Sequence, residues 1–321
     1  MPRYRDDLPQ LATDRLFLTD GGIETTLIFD DGFDLPDFAA FPLLETEEGR
    51  AALTRYFDAY AAIAVRDRVG IVLETPTWRA SPDWGARLGY GREQLDELNR
   101  RAVELTLAAR RVETPDAPVV ISGCIGPRGD GYQPGELMSP DEARAYHAIQ
   151  VRTFADTEAD LVTAITMTNS AEAIGIARAA EAAGIPAVIS FTVETDGRLP
   201  TGQRLEDAIV EVDAATRGYP AYYMVNCAHP THVLADGGDG TDRGTPWPER
   251  LRGLRANASR LSHAELDEAE KLDRGDPAEL ARDYVRLRAA HPPLTVLGGC
   301  CGTSHEHVGA ISAACVARPA G

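Results

Sequence analysis

Eight short runs rich in Val, Ile and Leu recur along the 321 residues, and each is followed by an amphipathic, often Ala-rich stretch. The runs cover 15–20, 70–75, 118–123, 160–165, 186–193, 221–226, 251–257 and 294–298. Near-continuous apolar runs of this length suit parallel strands buried on both faces. Helix starts lie between them. Ser139-Pro140-Asp141-Glu142 is a capping box with Pro at the first helical position, and 169–172 and 303–306 repeat the pattern with Asn169 and Thr303 as caps. Eight strand-then-helix units point to a (β/α)8 barrel in a single domain, with a core over about 14–316. The alternative is a doubly wound open sheet, but 20–26 (Asp-Gly-Gly-Ile-Glu-Thr-Thr) lacks the Gly-rich phosphate fingerprint of that fold. Arg252 and Arg255 interrupt the seventh run. The low-complexity stretch 236–244 reads as a surface loop, with a lid over the barrel mouth as the alternative.

The formal net charge is −18, which repels phosphate backbones and anionic headgroups and argues against nucleic-acid and membrane-surface roles. Such a surface is compatible with a cationic small-molecule substrate. No apolar run reaches the length of about 18 residues that spans a bilayer, and 1–7 lacks the apolar core of a signal peptide. Five cysteines, an odd number in a chain this long, do not form a disulfide framework. These features place the protein in the cytoplasm, where thiols stay reduced.

In a (β/α)8 barrel the active site lies at the C-terminal ends of the strands. Cys227 follows the sixth run, Cys300 and Cys301 follow the eighth, and Asp20 and Gly21 end the first. The fold would therefore bring these residues to one rim. Three thiolates with an open fourth position are the layout of a catalytic zinc rather than a structural one. Two other readings stand beside it: cysteines buried as small apolar side chains, and a redox protein with a vicinal Cys300–Cys301 disulfide. Cys124 and Cys315 read as packing residues and His229 as part of a loop. His305 and His307 fall in the first turn of the last helix, and a three-thiolate site does not need them.

Asp20-Gly21-Gly22, the Gly-Cys-Ile-Gly-Pro stretch 123–127, Asn226-Cys227 and the Gly-Gly-Cys-Cys-Gly-Thr stretch 298–303 stand in the order found in the homocysteine S-methyltransferase family. The resemblance covers about 14–316 and implies a (β/α)8 barrel with Zn2+ bound by Cys227, Cys300 and Cys301. It implies that a substrate thiol enters as fourth ligand and is deprotonated there, although a free thiol is mostly protonated at neutral pH. The methyl donor must leave as a neutral molecule. That means a small onium compound, a sulfonium or a quaternary ammonium. By the same resemblance Asp20 contacts the amino group of the acceptor, and the Gly21 and Gly22 amides lie near its carboxylate. Thr166 and Asn226 belong to the same acceptor site, and Asn257 stands behind it. Trp78 follows the second strand, where its indole face could hold the onium by cation–π attraction, and Arg79 beside it could face a donor carboxylate.

Two positions depart from the family pattern. Ile165 stands where a Glu is expected at the end of the fourth strand, and Thr26 replaces another Glu, with a carboxylate at Glu24 instead. An ammonium that loses a charge-assisted partner loses roughly 1.5–3 kcal/mol. Asp20, Glu24 or Glu194 would have to compensate, or the acceptor is a different thiol or a selenol. A zinc- or thiol-binding barrel without turnover is the non-enzymatic alternative.

Overall fold

The computed structural model describes residues 1–12, 15–233, 247–269 and 271–316, so the stretch 236–244 lies outside the described residues. Eight parallel strands pair in chain order and close on themselves. They are β1 (Phe17–Thr19), β2 (Gly70–Glu74), β3 (Val119–Ile125), β4 (Leu161–Met167), β5 (Ala187–Thr192), β6 (Tyr222–Ala228), β7 (Leu251–Ala256) and β8 (Val296–Gly299). The closing seam pairs Leu18 with Leu297. The fold is the (β/α)8 barrel, and the open-sheet alternative falls.

The near-continuous apolar runs have a simple cause. Outward side chains such as Ile71, Leu73, Ile121, Tyr223 and Leu297 pack into the large core between strands and helices. Inward side chains at the N-terminal end of the barrel, among them Phe17, Val72, Val120, Leu161, Val188, Tyr222 and Val296, form a separate core plugged by Leu8. Both faces are dry, as parallel sheets require. One layer higher the interior turns polar: Thr19, Glu74, Ser122, Thr163, Ser190, Asn226 and Arg255 are all buried. The barrel is a packed core below and a polar cup above.

Of the three helix starts read from sequence, two are in place. Ser139 accepts from the Glu142 amide while its own amide donates to the Glu142 carboxylate, and Asn169 Oδ1 accepts from the Glu172 amide at 2.8 Å. The third shifts by one residue. Ser304 precedes the helix His305–Val316 and its Oγ accepts from the Glu306 amide at 3.3 Å. The Thr303 hydroxyl instead donates to the Cys300 carbonyl at 2.7 Å, so it braces the cysteine turn and leaves the cap to its neighbour.

The N-terminal segment seals the barrel floor through Asp160. This fully buried carboxylate accepts from the amides of Arg3 (3.0 Å), Tyr4 (2.8 Å) and Ile121 (2.9 Å), and pairs with Arg110. Removing one partner of a buried, hydrogen-bonded ion pair costs about 3–5 kcal/mol, because the other charge and its donors are left buried and uncompensated. Asp160→Ala is therefore expected to lower the urea midpoint by that equivalent at an unchanged m-value; a shift under about 1 kcal/mol would show that the floor contributes little.

Candidate active site and metal centre

Strand alternation alone would turn one of the three rim cysteines away from the barrel. On β6 Tyr222 and Met224 face inward and Tyr223 and Val225 face the helices, so an undisturbed strand would send Cys227 outward. Cys227 instead takes φ +53°, in the left-handed region that a side chain other than Gly rarely occupies, at a register shift between β6 and β7. Thr166 on β4 does the same, with φ +66° at a register shift against β5. Such irregularities re-aim a side chain at the end of a strand, and here both residues reach the cavity at the barrel mouth.

Both turns are held by named partners. Asn226 is fully buried; its Oδ1 accepts from the Thr166 amide (2.8 Å) and the Ser190 hydroxyl (2.7 Å), and its Nδ2 donates to the Thr166 hydroxyl (2.8 Å). The Cys227 carbonyl accepts from Asn257 Nδ2 at 3.0 Å and from His263 Nε2 at 2.7 Å. Asn257 thus stands directly behind the cysteine. Asn226 is not a cavity-lining residue. Its amide holds Thr166.

The sulfurs of Cys227, Cys300 and Cys301 lie within 4.8 Å of one another, and all three residues line a cavity of about 400 Å³. Cys227 and Cys300 are in disulfide contact, with Cα atoms 5.4 Å apart, and Cys301 takes no part in that bond. The bonded pair is thus not the vicinal one considered from sequence. Tetrahedral Zn–S bonds of about 2.3 Å hold sulfurs roughly 3.8 Å apart, so reduction and a small separation of Cys227 from Cys300 suffice for a metal to fit. The donor set suits a soft or borderline ion, and the cavity lies on the open side. The Tyr132 hydroxyl sits 3.7 Å from Cys301 Sγ, and its ring stacks on His263 with centroids 4.0 Å apart. Nothing in the sequence marked Tyr132, because its loop carries no periodic pattern.

Asp20, Gly21, Gly22, Glu24, Trp78, Thr166 and Ile165 also line this cavity. Several of them already have partners within the protein. Asp20 Oδ1 accepts from Arg255 Nη1 at 2.8 Å and Oδ2 from the Tyr56 hydroxyl at 3.0 Å, so its charge is already matched. The Gly22 amide donates to the Thr303 carbonyl at 3.2 Å, and a Cβ at Gly22 would meet the Cys300 carbonyl at 2.5 Å. Gly22 therefore lets the first turn close on the cysteine turn. One face of Trp78 carries the Arg79 guanidinium, 4.0 Å from the ring centroid, which leaves an onium donor at most the opposite face. Arg79 also stacks on Trp84 at 3.5 Å and donates to the Gly129 carbonyl at 3.1 Å. Glu194 lies 3.0 Å from His263 Nδ1 and is not among the lining residues.

The histidines near the cysteines have other duties. His307 Nδ1 accepts from the Ser304 amide and Nε2 meets the Arg274 carbonyl at 2.8 Å, while His305 is exposed. His229 is buried beside Thr231, and burial pushes it down to about 4. Cys315 packs against the core from the last helix, as read from sequence. Cys124 is buried but lines the cavity, and burial pushes its thiol well above the usual range.

Two charged residues of the site escaped the sequence reading. Arg255, an interruption of an apolar run, points inward and is 5% exposed. Burial alone would lower its pKa, but Asp20 and Glu74 outweigh that and hold it charged. Glu74 ends β2, is 4% exposed, and neither of its oxygens has a hydrogen-bond partner. Burial pushes its carboxyl up to about 7, against the pull of Arg255 and the nearby Ser122 and Thr163 hydroxyls. Glu24 is half-buried and also rises to about 7, chiefly through burial. The signal was available: a charged residue at an inward position of a strand that is dry on both faces has to have a partner or a purpose.

The fold and site define a (β/α)8 barrel with a three-cysteine centre, able to hold a metal, at its C-terminal mouth. The chain belongs to the homocysteine S-methyltransferase family, a family of methyltransferase enzymes, whose profile matches residues 17–315. Homocysteine S-methyltransferase 4 of Zea mays is 24% identical over 181 residues, which are 50% of this chain and 52% of that protein; the match thus spans about half of the curated relative. The homocysteine methyltransferase MmuM of Escherichia coli, solved in an oxidized and in a metallated form, has the same fold. Each form gives a TM-score of 0.71 at 23% identity, over 94% of this chain and 96% of that one.

The burial of Glu74 yields a pH-dependent prediction. Its folded pKa of about 7 exceeds its ordinary value of 4.5, so between these values the unfolded chain releases a proton that the folded one keeps. Stability therefore falls as pH rises through this window and stays lower above it. Glu74→Gln is expected to raise the unfolding free energy in urea at pH 8, by at most about 3 kcal/mol, and by much less at pH 4.5. An equal gain at both pH values would mean that Glu74 does not carry the burden.

Proposed function

We propose that this protein is a zinc-dependent thiol S-methyltransferase that moves a methyl group from a small onium donor, a sulfonium or a quaternary ammonium, to homocysteine, giving methionine. The observation that carries the reading is the convergence of Cys227, Cys300 and Cys301 on the open side of a cavity large enough for an amino-acid-sized thiol. Family membership supports the reaction class. The oxidized and metallated forms of the Escherichia coli enzyme support reading the close Cys227–Cys300 pair as one state of a metal-binding triad.

Zn2+ on the three thiolates would supply a fourth position at which an acceptor thiol loses its proton near neutral pH. The chain's residues do the rest. Asn257 and His263 hold Cys227 in its left-handed turn, and Gly22 lets the turn at 300–303 close against the end of β1. Asp20, already paired with Arg255, supplies a polar wall without a net charge of its own. Thr166, held by Asn226, presents the bend of β4 to the acceptor. Trp78 and the cavity's apolar lining exclude water around the methyl group in transit, so that the sulfur nucleophile is not solvated as it attacks. A donor that leaves neutral avoids generating a second anion in a site already rich in negative charge.

A protein of this kind works as one barrel domain in the cytoplasm, where the thiols stay reduced, on small-molecule substrates and without nucleic acid. Among the described residues no helix is long and apolar enough to cross a membrane.

Incubating purified, zinc-loaded protein and homocysteine with S-methylmethionine, S-adenosylmethionine or glycine betaine is expected to give methionine with at least one donor. No methionine from any of them would overturn the proposal. Cys300→Ser should lose both stoichiometric zinc and methyl transfer while keeping its far-ultraviolet circular dichroism. A folded variant that keeps both would remove Cys300 from the centre.

A further inference from the structure

The cavity contains several acidic side chains, and most have partners. Asp20 is paired with Arg255 and hydrogen-bonded to Tyr56. Asp130 lies 3.7 Å from Arg79, and Asp273 accepts from the Ser259 hydroxyl at 2.6 Å and the Gly275 amide at 3.0 Å. Glu24 is half-buried and has a backbone hydrogen bond. Glu74 differs from all of these. It is more than nine-tenths buried, lines the cavity, and has no hydrogen bond to either oxygen. The Ser122 and Thr163 hydroxyls bond one another at 2.7 Å and lie near enough to Glu74 to favour its charged form without meeting the geometry of a full hydrogen bond. Arg255 is turned to the first turn, with Nη1 on Asp20 and Nη2 on the Gly21 carbonyl at 3.4 Å; its Nε is likewise buried without a partner, so it attracts Glu74 without bonding it.

A buried carboxylate with no donor costs free energy that a fold would shed by mutation unless something else supplies the donors. The chemistry of the missing partner is constrained. The onium centre of a sulfonium or quaternary ammonium carries no N–H and no O–H and cannot satisfy these oxygens, so the group that does is a primary ammonium, on the acceptor or on an amino-acid donor. A primary ammonium brings three N–H donors and a positive charge. β4 presents only Ile165 and Thr166 to the cavity, neither of them charged. We propose that Glu74 is a substrate-recognition residue that receives the ammonium group of an amino-thiol acceptor, and thereby selects amino acids over simple thiols. This rests on the thiol methyltransferase reading and names the part of the acceptor that the site reads.

The test separates the two ideas by measuring binding without turnover. Methionine and its des-amino analogue 4-(methylthio)butanoate differ only in the ammonium, and neither needs a metal-bound thiolate to enter the cavity. Calorimetric titration of the wild type is expected to favour methionine at least tenfold. In Glu74→Gln that preference should fall to within about threefold, through weaker methionine binding at unchanged affinity for the analogue. Glu74→Asp, which keeps the charge, should recover part of it. In turnover, Glu74→Gln should raise KM for homocysteine about tenfold or more and leave KM for 4-mercaptobutanoate within twofold. Thermal unfolding checks that each variant is folded. A wild type that does not discriminate, or a preference that survives Glu74→Gln, overturns the inference while leaving methyl transfer intact. Glu74-dependent binding of methionine without methylation of any thiol would uphold the recognition and sink the activity.

Discussion

The left-handed turn at Cys227 is the constraint on which the site depends. A parallel strand in a closed barrel sends alternate side chains inward and outward, and position 227 falls on the outward series. A φ of +53° reverses that, at a cost of about 1–3 kcal/mol for a residue other than Gly. Two donors, from Asn257 and His263, hold the Cys227 carbonyl, and each hydrogen bond contributes about 0.5–1.5 kcal/mol. The strain and its supports are therefore of similar size. Without the turn, Cys300 and Cys301 would be a pair of thiols at the end of β8 with no third partner.

The same economy governs the charges. The polar cup above the apolar floor holds one matched pair, Asp20 with Arg255, and one buried carboxylate with no donor, Glu74. A matched pair sets the position of the first turn without adding net charge to a cavity that already holds the three-cysteine centre. An unmatched carboxylate weakens the folded state above neutral pH and is ready for a ligand that carries its own donors. Stability and recognition draw on the same group in opposite directions, as is common at functional sites.

Much of the architecture was legible in the chain. Eight apolar runs separated by helix signals sufficed for the barrel, and the barrel placed the residues after the first, sixth and eighth runs on one rim. The structure adds most where a local rule met a tertiary competitor. Thr303 has the chemistry of a helix cap, but the Cys300 carbonyl takes its hydroxyl and Ser304 caps instead. Asn226 stands next to a site cysteine, yet its amide is used to hold Thr166 across the barrel. Arg255 looked like an interruption of a strand and is the counter-ion of Asp20.

The sequence by itself determined the number and order of the strands, the layer that is dry on both faces, and the presence of three cysteines at strand ends. Those properties follow from periodicity and from residue type, which are local. Only the tertiary structure decided that Cys227 turns inward, that Asp20 is already paired, and that Glu74 has no partner. Each of these depends on backbone twist at a single residue or on a contact between strands far apart in the chain, and neither leaves a periodic trace in the sequence.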